Sequence, residues 1–280
     1  MRVAVTGAEG RFGFALAAAF RAGHTVEALS HRDADITRPD EIRAVFARFK
    51  PEIIVHPAGI PDIDVCEADP ASAFLVNYHG TRNVVAAARE VGAAVAYIST
   101  DSVFDGKKGS PYVETDFARP PTVYGRTKLR AEGAIRELPQ HWIFRVSVLF
   151  GPGKENFISN GLRKIKKGEV WQVAADQMGS ATFTPDAAAR IREVIEARSF
   201  GLFHLCNSGA CTRLELARRA VDLAGLDARQ LVGKPDAEMG RRARRVQYAV
   251  MEMLALNKAG FNPLRSWKEA LGEYLSTFRI

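Results

Sequence analysis

Apolar residues fall along this chain in two rhythms. Short runs rich in β-branched residues alternate with longer stretches whose apolar positions recur every three to four residues. Strands are predicted at 2–7 (RVAVTG), 24–30 (HTVEALS), 51–59 (PEIIVHPAG), 93–100 (AAVAYIST), 141–151 (HWIFRVSVLFG) and 201–207 (GLFHLCN). Between them, helical periodicity predicts helices near 12–22, 39–49, 70–91 and 123–138. Strand and helix in this alternation describe a parallel sheet wound with crossover helices. The expected fold class is α/β, a doubly wound parallel sheet of the Rossmann type.

After Gly151 the alternation weakens. Segments 156–169 (NFISNGLRKIKKGE) and 212–225 (TRLELARRAVDLAG) predict helices of a smaller layer, glycine, proline and arginine interrupt 226–263, and a last helix is predicted over 266–277. The expected organisation is a dinucleotide-binding domain over 1–155, with a returning segment near 181–207. A smaller, discontinuous C-terminal substrate lobe is expected over 156–180 and 208–280. No internal repeat or low-complexity tract is visible.

Composition changes this picture little. A chain of 280 residues, 47% hydrophobic and 25% charged, reads as an ordinary globular protein with a sizeable core. No run approaches the roughly 20 apolar residues that span a bilayer. The start, MRVAVTGAEG, enters a strand without the apolar core and cleavage site of a secretory signal, so a cytoplasmic location and no membrane partner are expected. Cys66, Cys206 and Cys211 are too few and too scattered for a disulfide framework, and the histidines lack HExxH spacing, so no metal site is expected.

Charge adds more. The net charge of +7 and pI near 9.4 make an anionic partner plausible. One basic cluster, Arg163, Lys164, Lys166 and Lys167, is equally well read as a solvated helix face. A denser one, GRRARR, brings Arg241, Arg242, Arg244 and Arg245 together and reads as an anion site. Few aromatics accompany these arginines and no zinc-finger spacing is present, so nucleic acid is not expected.

The chemistry begins at TGAEGRFG, where Gly7, Gly10 and Gly13 stand between the first strand and first helix, with Arg11 and Phe12 among them. Glycines there permit a tight turn, close approach to a pyrophosphate, and close packing of helix on strand, while the helix N-terminus favours an anion. Ser30, His31 and Arg32 occupy the tip of the second strand, where an acidic residue would bind the ribose hydroxyls of NAD and an arginine a 2′-phosphate. NADP is the expected cofactor; NAD stays open through Asp33 or Asp35. Further on, Ser99, Thr100 and Asp101 end a strand and should face the ligand crevice. Tyr124 and Lys128 follow at i, i+4, on one helix face about 6 Å apart.

The glycine triplet, STDSVFDG, YGRTKLRAE, RVSVLFGPG and DQMGSATFT, in that order, resemble the extended short-chain dehydrogenase/reductase family. Within it the chain is most similar to the dTDP-4-dehydrorhamnose reductases and their relatives. The resemblance covers nearly the whole chain and is strongest from residue 1 to about 185. It implies a reductase of a keto group on a nucleotide-linked sugar, with Thr100, Tyr124 and Lys128 as its catalytic residues. Hydride arriving at a carbonyl carbon leaves alkoxide character on the oxygen, and a proton donor must quench it. A tyrosine near its ordinary pKa of about 10 is a reluctant donor, so Lys128 is expected to lower that value and to bind the nicotinamide ribose. Thr100 would hydrogen-bond the reacting oxygen. The match also implies cofactor contacts at Ala58, Gly59 and Ser99 and a supporting role for Asn77. Substrate contacts fall at Asp101, Ser102, Val148, Arg241 and Arg242, and a homodimer is possible.

Three departures accompany the likeness. His56–Pro57 stands where the family commonly has Asn-Ala, which should alter the local loop. Ser102 and Val148 replace two aromatics that help hold the sugar, contacts worth about 0.5–1.5 kcal/mol apiece. Ser102 also stands where the related dehydratases carry a glutamate, and a hydroxyl cannot act as their base. Two alternatives stay open: a sugar-nucleotide epimerase, and a cofactor-binding regulatory subunit like that of methionine adenosyltransferase.

Overall fold

Alternate residues of each central strand point to opposite faces, and here both faces are apolar. Val3 and Val5 join one core cluster while Ala4 joins another; Ala94, Ala96 and Ile98 divide from Val95 and Tyr97 in the same way. A sheet buried on both sides is the outcome the continuous hydrophobic runs require. In the computed structural model, which describes residues 1–279, six parallel strands form that sheet. They are β1 (Arg2–Thr6), β2 (Thr25–Leu29), β3 (Ile53–His56), β4 (Ala94–Thr100), β5 (His141–Val146) and β10 (Gly201–His204), in the order β10-β5-β4-β3-β1-β2.

Helices α2 (Pro39–Phe49), α5 (Thr81–Val91) and α6 (Val123–Ile135) cover one face. The other is covered by α1 (Arg11–Arg21) and α8 (Thr184–Glu196), which lie side by side. Strand order reverses between β1 and β3. That reversal opens a crevice at the carboxyl ends of the strands, the usual ligand position in such sheets.

The helix predicted over 70–91 is three pieces: α4 (Pro70–Phe74), a π-helical turn (Leu75–Gly80), and α5. A short α3 (Ile63–Ala68) precedes it, capped by Asp62, whose carboxylate accepts from the N–H groups of Asp64 and Val65. The strand predicted over 141–151 is broken. β5 stops at Val146, and β6 (Leu149–Phe150) resumes after a turn at Val148, whose φ is +36°.

Beyond it lie α7 (Phe157–Lys166), β7 (Trp171–Ala174), β8 (Met178–Ser180) and β9 (Thr182–Phe183). After β10 come β11 (Asn207–Ser208), β12 (Ala210–Thr212), α9 (Arg213–Leu223), β13 (Leu231–Lys234), β14 (Tyr248–Ala249), α10 (Leu254–Lys258), β15 (Leu264–Ser266) and α11 (Trp267–Thr277). Leu162, Trp171, Leu216 and Leu271 belong to the separate core of this layer. Capping boxes begin its three main helices: Asn156 with Ser159, Thr212 with Glu215, and Ser266 with Glu269.

Candidate active site

At the end of β1 the chain turns through Gly7, whose φ of +60° suits glycine. The Gly10 N–H donates to the Gly7 carbonyl at 2.9 Å, and a Cβ at Gly13 would lie 2.1 Å from that same oxygen. Gly10 caps α1 without a side-chain bond, so the first N–H groups of the helix stay available to an anion. Arg11 sends a terminal nitrogen to the Glu155 carbonyl, while its Nε is buried without a partner. Burial holds the Arg11 pKa below its ordinary value. An orphaned guanidinium nitrogen beside an open helix N-terminus fits a bound pyrophosphate. Phe12, expected at the cofactor, instead buries its side chain in the core and offers only backbone.

At the tip of β2, Ser30 donates to the Asp33 carboxylate from N (2.8 Å) and Oγ (2.6 Å), and these bonds hold Asp33 below the usual carboxylate range. Asp35 is engaged by Thr37 from N at 2.9 Å and from Oγ1 at 2.8 Å. His31 and Arg32 are exposed. The tip therefore presents the Arg32 guanidinium and an exposed imidazole, while both nearby acids already accept local bonds. That suits a 2′-phosphate better than a bare ribose.

His56 is a strut, not the loop residue expected from its departure. It is fully buried, with Nδ1 2.7 Å from Thr6 Oγ1 and Nε2 3.0 Å from Thr81 Oγ1. Because Thr81 Oγ1 gives its own proton to the Asn77 carbonyl at 2.8 Å, Nε2 must donate and Nδ1 must accept. Burial pushes the His56 pKa down to about 3, so the ring is neutral. Asn77, in the π-helical turn, accepts from Ile60 N at 2.7 Å. Its amide donates to the Ile60 carbonyl and to Thr127 Oγ1, each at 3.1 Å. It thus ties the loop carrying Ala58 and Gly59 to α6.

Thr122 caps α6, accepting from the Gly125 N–H at 3.2 Å. A Cβ at Gly125 would fall 2.2 Å from the Ser102 carbonyl, so only glycine lets this helix close against the end of β4. That approach sets the Tyr124 hydroxyl close to Thr100. Thr100 Oγ1 donates to Asp101 Oδ1 at 2.9 Å and accepts from Ser102 N at 3.1 Å. Lys128 donates to the Ile98 carbonyl at 2.6 Å and lies 4.1 Å from the centre of the Tyr97 ring.

Electrostatics here depart from expectation. Burial pushes Lys128 down to about 7, against the opposing pull of Glu132. Burial also raises Tyr124 above its ordinary 10, with Thr100 opposing and Asp101 adding to the rise. Burial thus favours the neutral form of both the phenol and the amine.

Ser99 also differs from expectation. Strand alternation turns it away from Thr100, and its hydroxyl donates to Glu132 at 2.6 Å. Glu132 receives Arg145 in a fork at 2.9 and 2.8 Å, with both partners buried. Ser99 therefore helps anchor α6 to β4 and β5 and does not face the crevice.

Beside Thr100 a cleft opens between the sheet and the C-terminal layer. One wall carries Asp101, Ser102, Ser147 and Val148; the other carries Gln177, Arg213, Arg244 and Arg245. Asp101 accepts from Ser147 and, at 3.3 Å, from Ser102 Oγ. The positive φ of Val148 is a true departure for a β-branched residue, held in place by Thr182 N on its carbonyl at 3.1 Å. Arg245 grips Asp64 of α3 at 2.7 and 3.2 Å, and the Ala243 N–H adds a bond of 2.8 Å to the same carboxylate. Arg241 pairs with Asp236 at 2.9 Å, and Arg242 is exposed away from the cleft wall. Of the four arginines of this run, Arg244 and Arg245 line the cleft, and Arg241 lies just behind them. Arg213, at the start of α9, joins them without having been singled out by the sequence. A larger hollow at the amino end of the sheet, around Lys50, Trp142 and Arg198, contains none of these catalytic candidates.

All three cysteines are free and buried. Among the described residues no group of three histidines, cysteines or acids could hold a metal ion, and no helix is long and apolar enough to cross a membrane.

Comparison with known proteins bears on this geometry. Residues 1–280 match the family model described as the RmlD substrate binding domain. The chain is 34% identical to the spore coat polysaccharide biosynthesis protein SpsK of Bacillus subtilis (strain 168), over 98% of this chain and 96% of that protein. It is 35% identical to a dTDP-4-dehydrorhamnose reductase of Streptomyces griseus, over 96% and 91% of the two. Among solved structures, a dTDP-4-dehydrorhamnose reductase from Bacillus anthracis str. Ames in complex with NADP superposes with a TM-score of 0.95 at 31% identity, covering 99% of each chain.

Proposed function

Because the chain belongs to the RmlD substrate binding domain family, we propose that it is an NADPH-dependent reductase of the keto group on a nucleotide-linked sugar, of the dTDP-4-dehydrorhamnose reductase type. The observation that carries this reading is the convergence of Thr100, Tyr124 and Lys128 at the carboxyl end of the sheet, beside the glycine turn. NADPH, when bound, supplies the hydride. Gly7, Gly10, Gly13 and Arg11 would hold its pyrophosphate, and His31 and Arg32 its 2′-phosphate. Ala58 and Gly59 border its path along the crevice.

Tyr124 is the proton donor. Its buried phenol keeps its proton until negative charge develops on the substrate oxygen; then the phenol O–H bond breaks and the substrate O–H bond forms. The resulting tyrosinate is stabilised by Lys128 in its ammonium form. Thr100 has one proton, which it gives to Asp101 in this structure. To donate to the substrate oxygen it must turn from Asp101, a rearrangement costing about one hydrogen bond to a carboxylate, roughly 1.5–3 kcal/mol. Asp101, Ser102 and Val148 line the sugar side, and segments 156–180 and 208–249 with α11 form the substrate lobe, while Met251, Met253, Leu256 and Leu264 pack into the core of the sheet. Ser102 offers a hydrogen bond and Val148 a small apolar contact where aromatic rings would stack.

The direct test mixes the protein with NADPH and a panel of 4-keto sugar nucleotides headed by dTDP-4-dehydrorhamnose. Loss of the reduced cofactor's absorbance is expected. A panel that leaves it unchanged refutes the reading.

A further inference from the structure

We propose that Gln177 and Arg213 form the phosphoryl subsite of the cleft, taking the diphosphate that joins sugar to nucleotide. This rests on the reductase reading for the identity of the molecule that bears the diphosphate. Gln177 is 7% exposed and lines the cleft, yet its Nε2 has no hydrogen-bond partner. A buried donor left unmatched is costly, and in a ligand cleft its natural partner is an oxygen of the ligand.

Arg213 is directly connected to it, its backbone N–H donating to the Gln177 carbonyl at 3.1 Å. The Arg213 guanidinium lies 5.6 Å from the Phe157 ring and makes no ion pair within the chain among the described residues. Its neighbours are already engaged: Arg241 with Asp236 and Arg245 with Asp64, while Asp101 accepts from three hydroxyls. Burial holds the Arg213 pKa below its ordinary value; Asp101 opposes that, and the charges of Arg241 and Arg245 add to it. An anion seated here relieves that repulsion. Two adjacent donors, one of them a planar guanidinium fork, match phosphate oxygens.

Calorimetric titration of the full-length protein with dTDP and with thymidine tests the assignment without requiring turnover. Arg213→Gln and Gln177→Met should each weaken dTDP about tenfold or more, leaving thymidine binding unchanged. Arg213→Lys, which keeps the charge and loses the fork, should fall between and carries the test if Arg213→Gln does not fold. Arg218→Gln removes the same charge from an exposed position of α9 and should change nothing. In turnover, the Arg213 variants should raise KM for the sugar nucleotide and leave KM for NADPH in place. Full dTDP affinity in folded Arg213 variants overturns the subsite, as does a wild type that binds dTDP no better than thymidine. If dTDP binding depends on Arg213 while no keto sugar nucleotide is reduced, the subsite stands and the reductase reading falls.

Discussion

Replacing Lys128 with methionine should make the protein more stable and catalytically poor, with the gain in stability depending on pH. Lys128 is 5% exposed, and burial lowers its pKa from 10.5 to about 7. Folding therefore opposes protonation. Below about pH 7 the folded chain bears the whole cost of charging this amine, and above 10.5 the cost is gone because the unfolded chain is neutral as well. The sign follows from proton counts: between those limits the unfolded state binds more protons, so wild-type stability rises with pH through this group. At pH 7 the gap corresponds to about 4 kcal/mol, an upper figure. Methionine keeps most of the buried volume but loses the bond to the Ile98 carbonyl, which costs back about 1–2 kcal/mol. A net gain of about 2–3 kcal/mol near neutrality is expected, or roughly 4–6 °C in Tm. Urea unfolding of both proteins at several pH values from 7 to 10.5 measures it. The advantage should shrink by up to about 1.4 kcal/mol per pH unit, vanish near pH 9, and give way at the alkaline end to a deficit of about 1–2 kcal/mol, the lost hydrogen bond alone. An advantage that does not change with pH would refute the reasoning.

Tyr124→Phe should lower kcat by about 10²–10⁴ with NADPH affinity, read by cofactor fluorescence, nearly unchanged; near-normal turnover removes Tyr124 as the proton donor. Arg32→Glu should weaken NADPH about 10- to 150-fold while NADH shifts little, because a charge-assisted bond to phosphate is worth about 1.5–3 kcal/mol; equal losses for both cofactors would place Arg32 elsewhere. Glu132→Gln leaves Arg145 buried without its countercharge and should cost about 3–5 kcal/mol in unfolding free energy. A loss below 1 kcal/mol would show that the pair is not holding α6 to the sheet.

What could be read from the sequence and what could not divide along a physical line. Period-two and period-3.6 patterns are local, and the six sheet strands and the helices at 12–22, 39–49 and 123–138 followed from them. Tyr124 and Lys128 were visible because four residues of helix fix their relation. Gly125 was not, since its need arises from the Ser102 carbonyl, supplied by another element. The break at Val148 leaves no trace in RVSVLFG, whose composition is that of a strand. Ser99 faces α6 by strand parity, which could have been counted from Thr100. The arginines of GRRARR lie in an irregular segment with no period, so the pair that reaches the cleft could not be read. Helix α8 did leave signals: Pro185 in its first turn, Asp186 beside it, and apolar positions at Ala187, Ala188, Ile191, Val194 and Ile195.

The grip of Arg245 on Asp64 ties the polypeptide closing one side of the cleft to a helix of the cofactor-binding side. The same polypeptide is also held backbone to backbone, Val250 and Glu252 to Tyr112 and Gln247 to Met178, so the carboxylate is one tie among several. Loss of the carboxylate at residue 64 would loosen this wall locally without releasing it.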